Sequence, residues 1–325
     1  MIRFTSVLAL LMIAGLGRPA WSEESPVKGI VLGCTGKPVA GARVYVIQMD
    51  FMRPVEYKVW AETVTDERGE FEFEENVLKA GGRFMSSLPT VYAYKPGLAW
   101  GSRMLGMTGS SKMLTDTGLV VLRPGRSVSG RVLDLAGKPI PAATVRPWTI
   151  FQYDDDSFVV MGHEGLPFLV TNTDENGRFT LSDLPMGACF MVKVEAQGYG
   201  RTTFGPAWWE PNPMHVPKEG LEIVLGPESV VKGRVTSEKT GKAAAGLRVE
   251  LESRRVGPVA KAFTDQKGEF VIRGLEAGEY TFGFLGVDGR CGQLAPAPPV
   301  RIGTAEVREN IWLVYREGVP DAEKR

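Results

Sequence analysis

The sequence predicts an all-β protein in which three tandem β-sandwich domains follow a signal peptide. One motif recurs three times, its segments alternate apolar and polar residues as strands do, and no segment keeps a helical period. The glycine of the opening strand is Gly29, Gly130 or Gly233, so the copies are 101 and 103 residues apart. That spacing is close to the roughly 100 residues of a β-sandwich, so each unit can bury its own core.

The charges of the chain are balanced. It has 38 basic and 38 acidic residues and therefore no formal net charge. Because no overall field attracts polyanions, we expect neither a nucleic-acid partner nor binding to anionic membranes.

The first 22 residues have the composition of a secretory signal peptide. Arg3 supplies the positive start, residues 4–16 are mainly apolar, and Ala20-Trp21-Ser22 places a small residue on each side of a large one. We expect cleavage after Ser22 and a secreted or periplasmic protein. An uncleaved anchor is the less favoured alternative, because the apolar run is short for a membrane span. The mature chain is expected to have no transmembrane segment.

Each repeat opens on a predicted strand, a turn and a second strand. Around the shared glycine, valine alternates with polar or small residues, and the glycine leaves room for a bulky side chain to lie across the strand. The turn is Gly-Lys-Pro at 36–38 and 137–139, and Gly-Lys-Ala at 241–243. Because this turn reverses the chain, the two strands lie antiparallel or cross between sheets.

The segment Thr-Asp-x-x-Gly-x-Phe is the most informative part of the repeat. Aspartate can accept hydrogen bonds from the amides two and three residues later, glycine fits a left-handed position, and phenylalanine can fill the core. The pattern predicts a hairpin turn. A calcium loop is the alternative, but it needs oxygen ligands at alternating positions, where repeat three has Gln266-Lys267. The signature residues are Asp66, Gly69, Phe71, Asp174, Gly177, Phe179, Asp265, Gly268 and Phe270.

Apolar closing strands and turn residues divide the chain into units. Pro124-Gly125 and Gly226-Pro227-Glu228 follow the closing strands of the first two repeats and are expected to be short linkers. The last residues are polar and have no apolar anchor, so we expect them to fray. The expected division is 1–22 signal peptide, 23–124 repeat one, 125–227 repeat two with long loops, 228–315 repeat three and 316–325 polar tail.

The three cysteines fall one to a repeat, at Cys34, Cys189 and Cys291. An odd number of dispersed cysteines does not favour a disulfide framework, even in an exported chain. The sequence predicts buried thiols.

The repeated residues resemble the carboxypeptidase regulatory-like domain. The family pattern has Gly-x-Val, Gly-x-Pro-x-x-Gly-Ala-x-Val, Thr-Asp-x-x-Gly-x-Phe and Leu-x-x-Gly, and repeat one follows it from Gly29 to Phe71. Repeat two has Ala142 for the second glycine, and repeat three has Ala243 for proline and Leu247 for alanine. The resemblance implies transthyretin-like (prealbumin-like) sandwiches with a carbohydrate-binding-like fold. Since the matched positions are turn and core residues, it implies architecture and no activity.

Loops that only repeat two has are the candidate binding region. Aromatic rings there can stack on sugar faces, and carboxylates can accept hydrogen bonds from hydroxyl groups. The alternative is that the rings pin long loops onto the sandwich, because tryptophans are often largely buried. The candidate ligand-binding residues are Trp148, Tyr153, Asp154, Asp155, Asp156, Trp208 and Trp209.

The residue types predict no enzyme, no cofactor and no metal site. The chain has two histidines, His163 and His215, and neither has a partner at metal-ligand spacing. The sandwich is similar to the core of the intradiol ring-cleaving dioxygenases, whose iron is held by two tyrosines and two histidines. The less favoured alternative is therefore an iron site on Tyr153, Tyr199 and the two histidines.

An internal isopeptide bond is a further alternative, because related sandwich modules of surface adhesins join a first-strand lysine to a last-strand asparagine. Lys232 and Asn310 are the candidates, but alternation with inward valines places Lys232 on the solvent face. The sequence predicts an exported, non-catalytic structural or interaction protein, with an unknown protein or polysaccharide of the cell envelope as its partner. The alternative function is a carbohydrate-binding module protein that uses the aromatic loops of repeat two.

Overall fold

About two thirds of the residues that the computed structural model describes, 148 of 223, lie in β-strands. Within them, one 3-10 turn at Pro167–Leu169 is the sole helical segment, and the predicted all-β class is confirmed. No helix in this part of the chain has the length and apolar character needed to cross a bilayer. The described residues are 27–50, 57–73, 87–105, 116–151, 160–161, 167–186, 189–205, 220–253, 257–282, 285–287, 290–294 and 297–316.

The strands are numbered in chain order. Repeat one has β1 (Lys28–Gly33), β2 (Arg43–Asp50), β3 (Tyr57–Val64), β4 (Glu70–Glu72), β5 (Ser87–Tyr94), β6 (Leu98–Ala99) and β7 (Gly101–Met104), and β8 (Asp116–Asp134) continues into repeat two. Repeat two adds β9 (Thr144–Phe151), β10 (Val160–Met161), β11 (Thr171–Asn172), β12 (Arg178–Pro185), β13 (Cys189–Glu195), β14 (Thr202–Phe204) and β15 (Leu221–Leu225). Repeat three has β16 (Ser229–Ser237), β17 (Arg248–Ser253), β18 (Gly257–Phe263), β19 (Glu269–Leu275), β20 (Gly278–Phe282), β21 (Leu285–Val287), β22 (Arg290–Leu294), β23 (Val300–Ile302) and β24 (Val307–Arg316).

Each repeat contributes strands to two sheets. In the first sheet the opening strand lies between a parallel and an antiparallel neighbour: β1 between β8 and β4, β8 between β15 and β12, and β16 between β24 and β19. The second sheets have the orders β3-β2-β5-β7, β10-β9-β13-β14 and β18-β17-β20-β23. The opening strand and the next long strand thus belong to different sheets. Of the two predicted arrangements, crossing between sheets is correct.

Strand β8 passes through the expected linker at Pro124-Gly125. Its first part pairs with β1 and its last part with β12 and β15. Pro124 is paired with Leu98, and Gly125 with Pro185. Its 19 residues span about 60 Å at about 3.3 Å per residue. The end of repeat one and the start of repeat two are therefore one continuous strand.

The buried apolar side chains of the described residues form three clusters. One belongs to repeat one and another to repeat three. The remaining cluster combines the core of repeat two with Tyr45, Ile47, Tyr92 and Trp100 of repeat one. Because burial of a large apolar side chain contributes about 1.5–3 kcal/mol, this shared cluster couples the first two repeats.

Cys34 lies in the turn after β1, exposed and free. The prediction of a buried thiol is wrong there, because a turn side chain has no facing sheet to cover it. Cys189 and Cys291 lie in β13 and β22, and their side chains are outside the described residues. The predicted signal peptide and residues 317–325 of the tail also lie outside the described residues.

Candidate functional site

The aspartate of the signature closes its own turn. Oδ1 of Asp66 accepts hydrogen bonds from the amides of Arg68 and Glu70, both at 2.9 Å. Asp174 and Asp265 make the equivalent pairs at 2.8–2.9 Å. The second amide is four residues along, where the sequence predicted three. The amide three residues along belongs to the signature glycine and donates to the aspartate's backbone carbonyl instead, at 2.9–3.0 Å.

These hydrogen bonds show that the aspartate carboxylate stabilises its turn. The amide of Glu70 is the main cause that lowers the pKa of Asp66. The turn therefore holds this carboxylate in its ionised form. Within the described ranges, no three His, Cys, Asp or Glu side chains are grouped so that they could bind a metal ion.

The signature glycine meets two separate requirements. Gly69 has a φ of 74°, and a Cβ there would lie 2.5 Å from the carbonyl oxygen of Val31. Its own carbonyl accepts a hydrogen bond from the Val31 amide at 2.7 Å. Gly177 and Gly268 have φ values of 69° and 74° and the same 2.5 Å approach to the opening strand. The turn therefore packs by its backbone against the first sheet.

The phenylalanine of the signature lies across the glycine of the opening strand. Phe179 is opposite Gly130, and a Cβ on that glycine would lie 2.9 Å from the ring. Phe270 is opposite Gly233 in the same way, with a distance of 2.6 Å. All three signature rings are buried. The prediction that this glycine makes room for a bulky group is confirmed.

The threonine before the aspartate has a role that the sequence pattern did not reveal. The Thr65 hydroxyl donates to the carbonyl of Val39 at 2.6 Å and accepts from the amide of Ala42 at 2.9 Å. Thr173 and Thr264 make the same two bonds at 2.7–2.8 Å, and all three side chains are buried. This side chain joins the signature to the entry of the second strand. A threonine precedes the aspartate in every copy, and this recurrence is the feature of the sequence that could have indicated the role.

Most of the candidate ligand-binding residues lie outside the described part of the chain. Trp148 is in β9, but its side chain is not among those described. Tyr199 is half-buried, and its amide donates to Ala196 at 3.2 Å. Sugar stacking, loop packing and the iron alternative thus stay predictions. The undescribed residues are Tyr153, Asp154, Asp155, Asp156, His163, Trp208, Trp209 and His215.

The lysine of the candidate isopeptide pair forms an ion pair. Its Nζ lies 2.9 Å from Oε1 of Glu309, and the two side chains are 43% and 55% exposed. Asn310 is also exposed, with a φ of 60°. The predicted solvent-facing position of Lys232 is confirmed. The ion pair with Glu309 uses the same Nζ that an isopeptide bond would need.

Tyr94 and Asp183 form the junction between repeats one and two. The phenol of Tyr94 donates to Oδ2 of Asp183 at 2.8 Å, and the Gly97 amide donates to Oδ1 at 3.2 Å. The ring of Tyr94 stacks on Phe168, with centroids 4.2 Å apart and planes 6° apart. Burial, followed by the hydrogen bond to Asp183, raises the pKa of Tyr94 to about 12. The phenol therefore remains a donor at neutral pH.

Arg201 forms the junction between repeats two and three. Its backbone amide and its Nε both donate to the carbonyl of Gly274 at 2.9 Å. Nη2 donates to the carbonyl of Arg273 at 2.8 Å, and Nη1 to that of Val259 at 3.3 Å. A Cβ on Gly274 would lie 2.9 Å from Nη2. One side chain of repeat two is thus held by three carbonyls of repeat three.

A carboxylate lies behind this arginine, among three cations. Glu195 accepts a hydrogen bond from Arg146, and its Oε1 lies 3.6 Å from Lys193 and 3.8 Å from Arg201. Burial acts to raise the pKa of Glu195, but the neighbouring cations act more strongly together and lower it below its usual value. The cations around Glu195 therefore favour its charged form.

One segment of the chain matches a known family model. Residues 230–286 match the model described as the carboxypeptidase regulatory-like domain. They run from the opening strand of repeat three through its signature to β21. The family that the repeated residues resemble is thereby confirmed for this segment. No curated protein sequence matches the chain at a significant level.

The solved structures that match the chain include two pilins and the Bacillus anthracis TIE protein. The Bacillus anthracis TIE protein is 14% identical with a TM-score of 0.24, and the match covers 91% of this chain and 52% of that one, about half its length. The Streptococcal ancillary pilin is 12% identical with a TM-score of 0.27, covering 91% and 100%. GBS52, the minor pilin of Streptococcus agalactiae, is 14% identical with a TM-score of 0.28, covering 62% and 100%. TM-scores this low support no conclusion on function.

Proposed function

We propose that the protein is an exported, non-catalytic structural or interaction protein whose repeats hold its binding surfaces at a fixed spacing. The observation that carries this proposal is strand β8. Because it closes repeat one and opens repeat two, no flexible linker separates the two units. The side chains that repeat one adds to the core of repeat two stiffen the same junction.

The repeated residues support a structural role. In every copy the aspartate closes a turn, the threonine bridges two segments, and the phenylalanine fills the core. A chain that repeats its packing residues and varies its loops is suited to presenting those loops from a common support.

We infer that the working unit is the mature chain of repeats 23–124, 125–227 and 228–315. The N-terminal composition supports export, and the balanced charge of the sequence supports a partner that is not a polyanion. The proposed partner is a protein or polysaccharide of the cell envelope.

Small-angle X-ray scattering tests the fixed spacing. Insertion of a short Gly-Ser linker between Pro124 and Gly125 breaks β8, so we expect a larger maximum dimension and a more flexible profile, with native circular dichroism. The matched control places the same linker between Lys239 and Thr240, in an exposed turn within repeat three. An unchanged profile after the insertion in β8 would show that the shared strand does not fix the spacing.

Export is tested by producing the full chain in a Gram-negative host. We expect the protein in the periplasm or the medium, with Glu23 as its first residue. Recovery from the cytoplasm with the N-terminal segment intact would contradict the export part of the proposal and leave the scattering test unaffected.

A further inference from the structure

Repeats one and two present equivalent strands to the repeat that follows, with opposite chemistry. The register between β2 and β5 matches that between β9 and β13, which aligns the two faces residue by residue. The face of repeat one is aromatic, whereas the face of repeat two is charged. The equivalent pairs are Tyr45 and Arg146, Tyr92 and Lys193, Tyr94 and Glu195, and Trp100 and Arg201.

We propose that the junction between repeats two and three is an electrostatic latch centred on Glu195 and Arg201. Closed, it fixes repeat three against repeat two. Acid or high salt opens it, whereas the aromatic junction between repeats one and two remains closed under the same conditions.

The guanidinium of Arg201 keeps the latch closed through its hydrogen bonds to repeat three. Three carbonyls of repeat three point at the Arg201 guanidinium, and the dipole of each carbonyl attracts its positive charge. Gly200 brings the backbones together, because a Cβ there would lie 2.8 Å from the carbonyl oxygen of Leu275. Since a planar guanidinium donates in several fixed directions, lysine cannot make the same set of bonds.

Glu195 keeps the cations of the latch together. Arg146 comes from β9, Lys193 from β13 and Arg201 from the segment before β14, and the carboxylate contacts all three. Lys193 is buried, so water does little to screen its charge. Loss of the negative charge would leave three cations repelling one another next to repeat three.

Repeat three also brings titratable groups to this junction. Glu228 accepts a hydrogen bond from the Gly274 amide at 3.0 Å and lies 3.6 Å from Arg273. Glu228 thus places a second carboxylate at the junction, on the side of repeat three. Burial raises the pKa of Tyr280 to about 12, so this phenol is neutral in the acid range.

The direction in which pH acts on the latch follows from the direction in which the pKa of Glu195 is shifted. The pKa of Glu195 is lower in the folded chain than its usual value of about 4.3. The stabilisation is therefore complete above the usual value and is lost as the pH falls through the lower, folded value. Added salt acts at all pH values through Glu195 and Arg201, which are 26% and 28% exposed and therefore partly screened.

The first junction depends mainly on apolar contacts, alongside the two hydrogen bonds that Asp183 accepts. Trp100, Tyr92 and Tyr45 are each at most 4% exposed and belong to the shared core. Apolar contacts of this kind do not weaken when acid neutralises a carboxylate or salt screens a charge. The two junctions therefore differ in the conditions that open them.

NMR amide relaxation on the mature full chain tests the latch, because it gives a rotational correlation time for each repeat. At neutral pH and low salt we expect one shared value. In Glu195→Gln we expect the value for repeat three to fall roughly two-fold while repeats one and two stay together. Arg201→Lys keeps the charge but loses the fixed donors, and we expect a similar fall.

The matched control is Glu222→Gln, at an exposed position of β15 in the same repeat. It removes one carboxylate away from the latch and should leave all correlation times shared. If Glu195→Gln does not fold by circular dichroism, the unaltered chain provides the test, in a titration below about pH 4 and in about 1 M salt. The proposal is wrong if repeat three keeps tumbling with the others, or if repeat one is released first.

Discussion

Asp183 and Gly274 occupy the same position in consecutive repeats, and both have a left-handed backbone, with φ values of 61° and 68°. At the first junction the Asp183 carboxylate accepts hydrogen bonds from Tyr94 and Gly97. At the second, the absence of a side chain on Gly274 makes room for Arg201, which binds the glycine's carbonyl. One position thus serves both junctions, by its side chain in one and by its backbone in the other.

Exchanging these residues has unequal consequences. In Gly274→Asp the new Cβ would lie 2.9 Å from Nη2 of Arg201, so the guanidinium must shift; we expect weaker hydrogen bonds to repeat three and a lower calorimetric unfolding temperature. Asp183→Gly relieves a left-handed conformation that costs about 1 kcal/mol and loses two hydrogen bonds worth about 1 kcal/mol each, so we expect a net loss of about 1 kcal/mol. An unshifted transition for Gly274→Asp would contradict this prediction.

Gly177 and Gly137, two of the left-handed glycines of repeat two, differ in what surrounds them. A Cβ on Gly177 would lie 2.5 Å from a carbonyl oxygen, whereas a Cβ on Gly137, which has a φ of 78°, would meet no atom within 4 Å. We expect Gly177→Ala to lower the free energy of unfolding by about 3 kcal/mol or more, and Gly137→Ala by about 1–2 kcal/mol. Urea unfolding measures both. Equal effects would mean that backbone strain alone decides, without the contact to the opening strand.

The buried threonine is predicted to stabilise each repeat through its two hydrogen bonds. Thr173→Val keeps the shape but leaves the amide of Ala143 and the carbonyl of Ile140 without this partner. We expect a loss of about 2–4 kcal/mol in the free energy of unfolding by urea. Thr180→Val, on the exposed face of β12, is the control and should change stability by less than about 0.5 kcal/mol. A near-neutral Thr173→Val would rule out the bridging role.

The turn of repeat one should respond to acid through Asp66. Because backbone amides lower its folded pKa, the stabilisation is present above the usual value of about 3.9 and is lost as the pH falls through the lower value. The amide chemical shifts of Arg68 and Glu70 should follow this titration. In Asp66→Asn those shifts should no longer titrate there. A midpoint at or above the usual value would show that the amides do not stabilise the charge.

Because Lys232 pairs with Glu309, we expect no isopeptide bond between Lys232 and Asn310. The intact mass of the mature protein should equal that of the sequence after Ser22. A mass lower by one ammonia, with a cross-link between Lys232 and Asn310 in the digested protein, would establish the isopeptide bond instead.

Local residues made the fold class and the signature predictable from the sequence. A turn aspartate, a left-handed glycine and a core phenylalanine act within seven residues, so their spacing carries the information. The partners of Asp183 and Arg201 lie in another repeat, 89 and 73 residues away for Tyr94 and Gly274, and no local pattern marks them. Pro124-Gly125 is a local turn signal that long-range pairing with Leu98 and Pro185 overrides.

The parallel pairing of opening and closing strands determines how the chain carries tension. In repeat one the chain enters at the start of β1 and leaves at the far end of its β8 partner, and β16 and β24 repeat this geometry. A pull on the two ends therefore slides the paired strands past each other in shear. Their inter-strand hydrogen bonds bear the load together rather than opening one after another. Each unit is built to resist extension along the direction in which the chain threads it.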